Sequence, residues 1–384
     1  MNFDAIRSYN DDEIPAGLER LSQNKQFMNV LSTVYPLIPK DALRQRLTSF
    51  KSKNDFQKVM IYPFLQYLEA NMTKGINLKG KEKLQEGRNY LYVSNHRDII
   101  LDSALLCAKF LEVGMDTVEI AIGDNLLIFP WIEDLVRINK SFIVRRSPGA
   151  KQMLESSRQM AQYMKYIINE KGQSAWIAQR EGRAKDSNDQ TQESLLKMFN
   201  LCGDGTFAEN LSALHICPLS ISYEFDPCDY LKAKEFQQKR DNPEFRKSPQ
   251  DDLLNMKTGV MGYKGKVVYT LAGEISEEIQ QLASRLSNRN ELVSATATLI
   301  DSHIYRNYSI FNVNKIAFDL LEQSDRFASE YSLMEKLDFE KYLGKQIEKI
   351  DLDNKDVDFL MIKLLEMYAN PLKNYLSVAQ DLHH

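Results

Sequence analysis

The sequence predicts an α/β layer fold set between helical terminal regions. Short β-prone runs alternate with helical ones from residue 76 to 276, and apolar residues recur at three- and four-residue spacing on either side. At 384 residues, 43% apolar and 27% charged, the chain can bury a large core and hold two or three domains.

Residues 1–75 read as a helical region, because "AGLERLSQNKQFMNVLSTVYPL" and "DFQKVMIYPFLQYLEANM" both carry the helical period. The α/β domain follows over 76–276. "RNYLYVSN" is its first predicted strand, and "DSALLCAKFLEV" a helix. "TVEIAIG" and "SFIV" are strands, then "GAKQMLESSRQMAQYMKYIINEKG" is an amphipathic helix stopped by Lys171-Gly172. "QSAWIAQ", "LHICPLSISY" and "KGKVVYTLAG" complete the strands. The polar stretch 232–258 is expected to be an insertion or mobile loop. Residues 277–384 return to helical periodicity, and no internal repeat or low-complexity segment is present.

A net charge of −4 gives no global reason to bind nucleic acid, so an anion site must be a local basic cluster. Cys107, Cys202, Cys217 and Cys228 form no CxxC pair. With no apolar leader, they read as reduced thiols of a cytoplasmic protein. No run approaches the ~18 apolar residues that span a bilayer. "LLIFPWI", Leu126 to Ile132, is long enough only for a core or a membrane interface. His383 and His384 resemble the stub of a purification tag and are set aside.

In "SNHRDIILDS", His96-Arg97-Asp98 spells the catalytic loop of protein kinases. Ser103 stands where that loop needs asparagine, and no Gly-rich phosphate loop or D-F-G accompanies it, so the kinase reading fails. A histidine closing a strand is nonetheless placed for general-base work, given a carboxylate to fix its tautomer. Asp98 and Asp102 are the candidates. Six positions along an unbroken helix rotate a side chain by ~240° net, so pairing with Asp102 requires His96 to lie in a turn ahead of the helix. The plain alternative is a surface histidine beside two helix-capping aspartates.

Three further stretches carry charge or proline in suggestive places. "KSFIVRRS" sets Arg145 and Arg146 at a strand end, where guanidinium forks suit a phosphate. "WIAQREGRAKD" runs from a strand into Glu181, Gly182, Arg183 and Lys185. "CPLSISYEFDP" brings Pro218 into a β-rich run. Taken singly, they read as a basic turn, a charged loop and a buried strand.

Together and in order, the four stretches resemble the blocks of the glycerol-phosphate acyltransferase superfamily, which includes lysophosphatidate acyltransferases. Asn95, His96, Arg97 and Asp102 resemble N-H-R-S-x-x-D; Phe142, Ile143, Arg145 and Arg146 resemble F-F-I-R-R. Glu181, Gly182 and Arg183 are similar to E-G-x-R, Pro218 to the fourth-block proline, and "KGKVVYTLAGEIS" to the strand that often follows. The likeness spans residues 78–276. It departs from the pattern in three places. The His-to-Asp spacing is one residue longer, which keeps Asp98 as understudy. One residue is missing between Gly182 and Arg183, which makes Lys185 a second candidate. Asn139 stands where the second block usually opens with glycine.

The resemblance implies a mixed sheet flanked by helices and transfer of a fatty acyl group from a thioester, acyl-CoA or acyl carrier protein, to a glycerol-phosphate or lysolipid hydroxyl. It implies His96 as general base oriented by Asp102, with Arg145, Arg146, Arg183 and Lys185 around the acceptor phosphate. Asn95, Arg97, Glu181, Gly182 and Pro218 would support them. No metal or cofactor is expected, and the partner would be a membrane surface, met peripherally on the inner face of the cytoplasmic membrane. Two rivals stay open: another lysolipid or acyl-amino-acid acceptor, and a non-catalytic lipid-binding protein of the same fold.

Overall fold

The computed structural model describes residues 2–145 and 150–379. The chain opens with helices α1 (Ile14–Gln23), α2 (Lys25–Val34), α3 (Lys40–Ser49), α4 (Lys53–Phe56) and α5 (Tyr62–Met72). Ile14, Leu18 and Leu21 fall on one face of α1 and pack with Phe27, Met28, Leu43 and Leu47 into a small core of their own.

The described strands are β1 (Ile76–Lys79), β2 (Leu91–Ser94), β3 (Glu119–Gly123), β4 (Ser141–Val144), β5 (Ala175–Ala178), β6 (Ile216–Tyr223) and β7 (Val267–Leu271). They form one seven-stranded mixed sheet in the order β1-β7-β6-β2-β5-β3-β4. From β6 to β4 all neighbours are parallel, whereas β7 runs antiparallel to β6 and carries β1 parallel beside it. The sequence reading missed β1. Its four residues, "INLK", leave too short an alternation between lysines and glycines to register as a strand.

Side chains leave the sheet by the two-residue strand period. Leu91, Val93, Ala175, Ile177 and Ile216 face one core, closed by α8 (Ala150–Asn169), α9 (Glu193–Phe199) and α10 (Phe207–Ser212). Tyr92, Trp176, Cys217, Leu219 and Ile221 face the other, closed by α5 and α6 (Leu101–Glu112). α7 (Pro130–Ile138) links β3 to β4.

The stretch 232–258 is not a loop. Most of it lies in α11 (Asp229–Asp241) and α12 (Pro249–Met261). α11 carries no apolar period because, Ala233 apart, its buried positions are polar: Asp229, Lys232, Glu235 and Gln237. α12 does carry a start signal, Ser248-Pro249 with Asp251 three residues after the cap.

The C-terminal helices are α13 (Ser276–Arg285), α14 (Arg289–Arg306), α15 (Asn312–Glu322), α16 (Leu333–Glu348) and α17 (Val357–Ala379). α14 inserts Leu292, Val293, Ala297, Ile300 and Ile304 into the core under the sheet. α15, α16 and α17 bury a separate cluster around Leu343, Leu360 and Leu364. Among the described residues, no helix is long and apolar enough to cross a membrane.

Candidate active site

The parallel strands put their carboxyl ends on one edge of the sheet, the edge where open α/β sheets hold ligands. β2 is the branch point: the chain leaves it toward β3, β4 and β5 on one side and returns through β6 on the other. "NHRDII", residues 95–100, leaves β2 as an irregular loop, and α6 begins only at Leu101. Buried Asn95 fixes the start of this loop. Its amide donates to the Ile221 carbonyl at 2.9 Å and accepts the Ile221 N–H at 2.8 Å, stapling the loop to β6.

His96 lies in that turn, with its Nδ1 2.8 Å from Oδ2 of Asp102 in the first turn of α6. The same oxygen accepts the backbone N–H groups of Arg97 at 2.6 Å and Asp98 at 3.0 Å. One fully buried carboxylate therefore gathers the loop and the imidazole together. The helix starts after the histidine, so the awkward six-residue rotation does not arise. The imidazole packs edge-on against Trp176 of β5, ring centres 5.8 Å apart, and its side chain is 14% exposed.

Asp98 has another task. Its Oδ1 accepts the N–H groups of Ile100 at 2.9 Å and Leu101 at 2.7 Å, capping α6. Burial and the neighbouring Asp102 charge push its carboxyl above the ordinary range, against the pull of those two N–H groups. α12 closes over it: a Cβ on Gly259 would stand 1.9 Å from Oδ2 of Asp98.

Arg97 points away from the imidazole into the protein. Its Nη2 pairs with Asp189 at 2.6 Å, and its carbonyl accepts Nζ of Lys232 at 3.3 Å. Burial works against the cation, but Asp189, Tyr308, Asp226 and Asp102 around it outweigh that and keep it charged. Lys232 is itself ion-paired with Asp226.

The loop after β5 lies beside this one, tied by the Gln179 N–H to the Ser94 carbonyl at 2.7 Å. Gly182 takes φ +67°, the left-handed conformation that glycine accommodates without strain. Glu181 is exposed, and its backbone N–H donates to Gln192 at 2.7 Å. Arg183 donates from Nη2 to Oδ1 of Asn255 on α12 at 3.0 Å, while its buried Nη1 has no hydrogen-bond partner. Its partner Asn255 lies on α12, the helix whose Gly259 covers Asp98. Lys185 is ion-paired with Glu235 of α11, and burial pulls its pKa down to about 8.

Arg145 follows β4, three strand spacings from β2 or roughly 14 Å across the sheet. It is exposed and donates to the Ala5 carbonyl at 3.0 Å. Arg146 lies outside the described residues. Pro218 is buried in β6 opposite Val93, and the β7 ladder starts one residue later at Leu219, so its missing N–H costs no bond to β7. "LLIFPWI" leaves β3 at this same edge, half-buried, with Phe129 and Trp131 stacked.

The structure thus joins His96, Asp102, Arg97 and Asp98, ties Arg183 to the covering helix α12, and sets Arg145 apart. Sequence reasoning missed Trp176, Asp189, Lys232, Asn255 and Gly259. Each reaches the site through tertiary packing, and none sits in a motif that marks it.

Residues 75–222 match the family described as Acyltransferase. Among curated proteins nothing matches the chain. Among solved structures it is similar to the 1-acyl-sn-glycerophosphate (LPA) acyltransferase PlsC from Thermotoga maritima, at 12% identity and a TM-score of 0.38, covering 78% of this chain and 100% of that one.

Proposed function

From the premise that residues 75–222 form a domain of the glycerol-phosphate and lysophosphatidate acyltransferase superfamily, we propose that the chain transfers a fatty acyl group from a thioester to the hydroxyl of a glycerol-phosphate-type acceptor in phospholipid biosynthesis. The observation that carries this reading is the 2.8 Å contact between His96 Nδ1 and Asp102. With Nδ1 held, Nε2 removes the acceptor's hydroxyl proton as that oxygen attacks the thioester carbonyl. The tetrahedral adduct then expels the thiolate, which recovers the proton from the imidazolium. No acyl-enzyme is required. Cys107, Cys202, Cys217 and Cys228 are all buried, and burial pushes Cys228, which lies against Asn255, up to about 12, away from nucleophilic thiolate.

Arg183, held by Asn255 on the helix that covers Asp98 and short of one hydrogen-bond partner, holds the acceptor phosphate. Exposed Arg145 meets anionic headgroups at the rim, where a peripheral protein touches the bilayer. The half-buried Leu126–Ile132 segment offers apolar surface to the acyl chain, each buried methylene contributing roughly 0.8 kcal/mol. Acyl-CoA and acyl carrier protein are the candidate donors. The engagement of Lys185 by Glu235 leaves fewer free cations than the motifs promised, which keeps a lysolipid or acyl-amino-acid acceptor as the second reading.

The test is His96→Ala, with thiol release from acyl-CoA or acyl carrier protein followed over a panel of acceptors. Turnover should fall at least a hundredfold, roughly the low end of general-base contributions. Undiminished turnover would remove the assignment.

A further inference from the structure

Asp189 lies six residues past Arg183, beyond every recognisable motif, and is fully buried. Its Oδ2 meets Nη2 of Arg97 at 2.6 Å and accepts the Tyr308 hydroxyl at 2.5 Å. The Tyr305 hydroxyl donates to its carbonyl. Two residues on, Thr191 donates its N–H and hydroxyl to Asp301 at 2.9 and 2.6 Å. Asp301 and Tyr305 belong to α14, and Tyr308 follows just after it, so the C-terminal helical layer grips this loop from three points.

Arg97 carries the grip onward. Its guanidinium lies over the Tyr308 ring at 5.8 Å, and its backbone N–H reaches Oδ2 of Asp102, the atom that contacts the imidazole. The residue next to His96 is thus anchored by its side chain to Asp189 and Tyr308, and by its backbone to the carboxylate partner. A buried ion pair contributes little net stability against an apolar replacement, so its tight geometry is the more telling feature.

We infer that Asp189 is a positioning residue for the His96–Asp102 pair, acting through Arg97, and that the helices after residue 276 complete the active site. This rests on the acyl-transfer reading above.

Asp189→Asn in the full chain keeps the shape and removes the charge facing Arg97. kcat should fall about ten- to a hundredfold, the scale of a displacement near 1 Å, while KM for donor and acceptor stays within about twofold. The double variant with Arg97→Gln should be no worse than the poorer single one, because the two residues act as a unit. Tyr308→Phe, which removes one hydroxyl, should lower kcat in the same direction and carries the test if Asp189→Asn does not fold. An activity-free readout runs alongside: the low-field proton resonance of the His96–Asp102 contact, identified by its loss in His96→Ala, should weaken or move in Asp189→Asn. An unchanged kcat and resonance in folded Asp189→Asn, or a change confined to KM, would overturn the inference. Failure of wild-type thioester turnover would instead strike the acyl-transfer reading, leaving the resonance to decide the positioning.

Discussion

Replacing Asp102 and Asp98 in turn by asparagine separates two carboxylates that stand four residues apart. Oδ2 of Asp102 takes three donors, from His96, Arg97 and Asp98, at 2.6–3.0 Å. Asparagine keeps the size, but one of its two positions becomes a donor, so it cannot reproduce the charged acceptor. Hydrogen bonds to a charged group contribute about 1.5–3 kcal/mol against about 0.5–1.5 for neutral ones, so the two backbone bonds together weaken by roughly 2 kcal/mol. Relief of the repulsion between Asp102 and buried Asp98 offsets part of this, leaving a modest loss of stability. The imidazole loses its orienting partner, and turnover should fall by about 10²–10⁴, or roughly 3–5 kcal/mol of transition-state stabilisation.

Asp98→Asn should behave in the opposite way. It weakens a helix cap, at about 1 kcal/mol of stability, and leaves turnover within roughly an order of magnitude. Thiol release from acyl-CoA, read beside urea midpoints, measures both quantities on the same preparations. If Asp98→Asn abolished turnover while Asp102→Asn retained it, the assignment of the dyad would be reversed and the reasoning refuted.

Gly259→Ala should destabilise the fold by about 1–3 kcal/mol despite alanine's better helix propensity, because its Cβ meets Asp98 at 1.9 Å. Cys228, whose thiol donates to the Asn255 carbonyl at 3.3 Å beneath the same helix, should then become the thiol most open to alkylation, as mass spectrometry would show. Burial raises the Asp301 carboxyl from 3.8 to about 7, against the Thr191 hydrogen bonds that lower it. The folded chain therefore holds this proton more tightly than the unfolded one, so the contribution is fully present below about pH 4 and is lost as the pH rises through 7. Asp301→Asn should gain on the wild type in urea denaturation between pH 4 and pH 8, by roughly 4 kcal/mol at most; parallel profiles would contradict this.

The residues of the sequence were enough for the α/β order, because strand and helix periods are local properties of the chain. They also pointed to His96, through the order of four motif-like stretches spread from Asn95 to Pro218 rather than through its neighbours alone. The choice between Asp98 and Asp102 was beyond them. It turned on where α6 begins, a start that Asp98 caps after a loop that Asn95 ties to β6, 126 residues away. The basic clusters divide in the same way. Arg183, Lys185 and Arg145 look alike in a sequence, yet folding gives one to Asn255, one to Glu235 and one to the exposed rim. The buried charges of the polar stretch 232–258 find partners on the His96 loop, after β6 and in the loop after β5, a compensation with no periodic trace. Periodicity thus determined the layers, and the resemblance to the family's ordered blocks pointed to the histidine. Only the tertiary structure decided which carboxylate contacts it and which partner each described cation takes, because those pairings join residues that meet through packing alone.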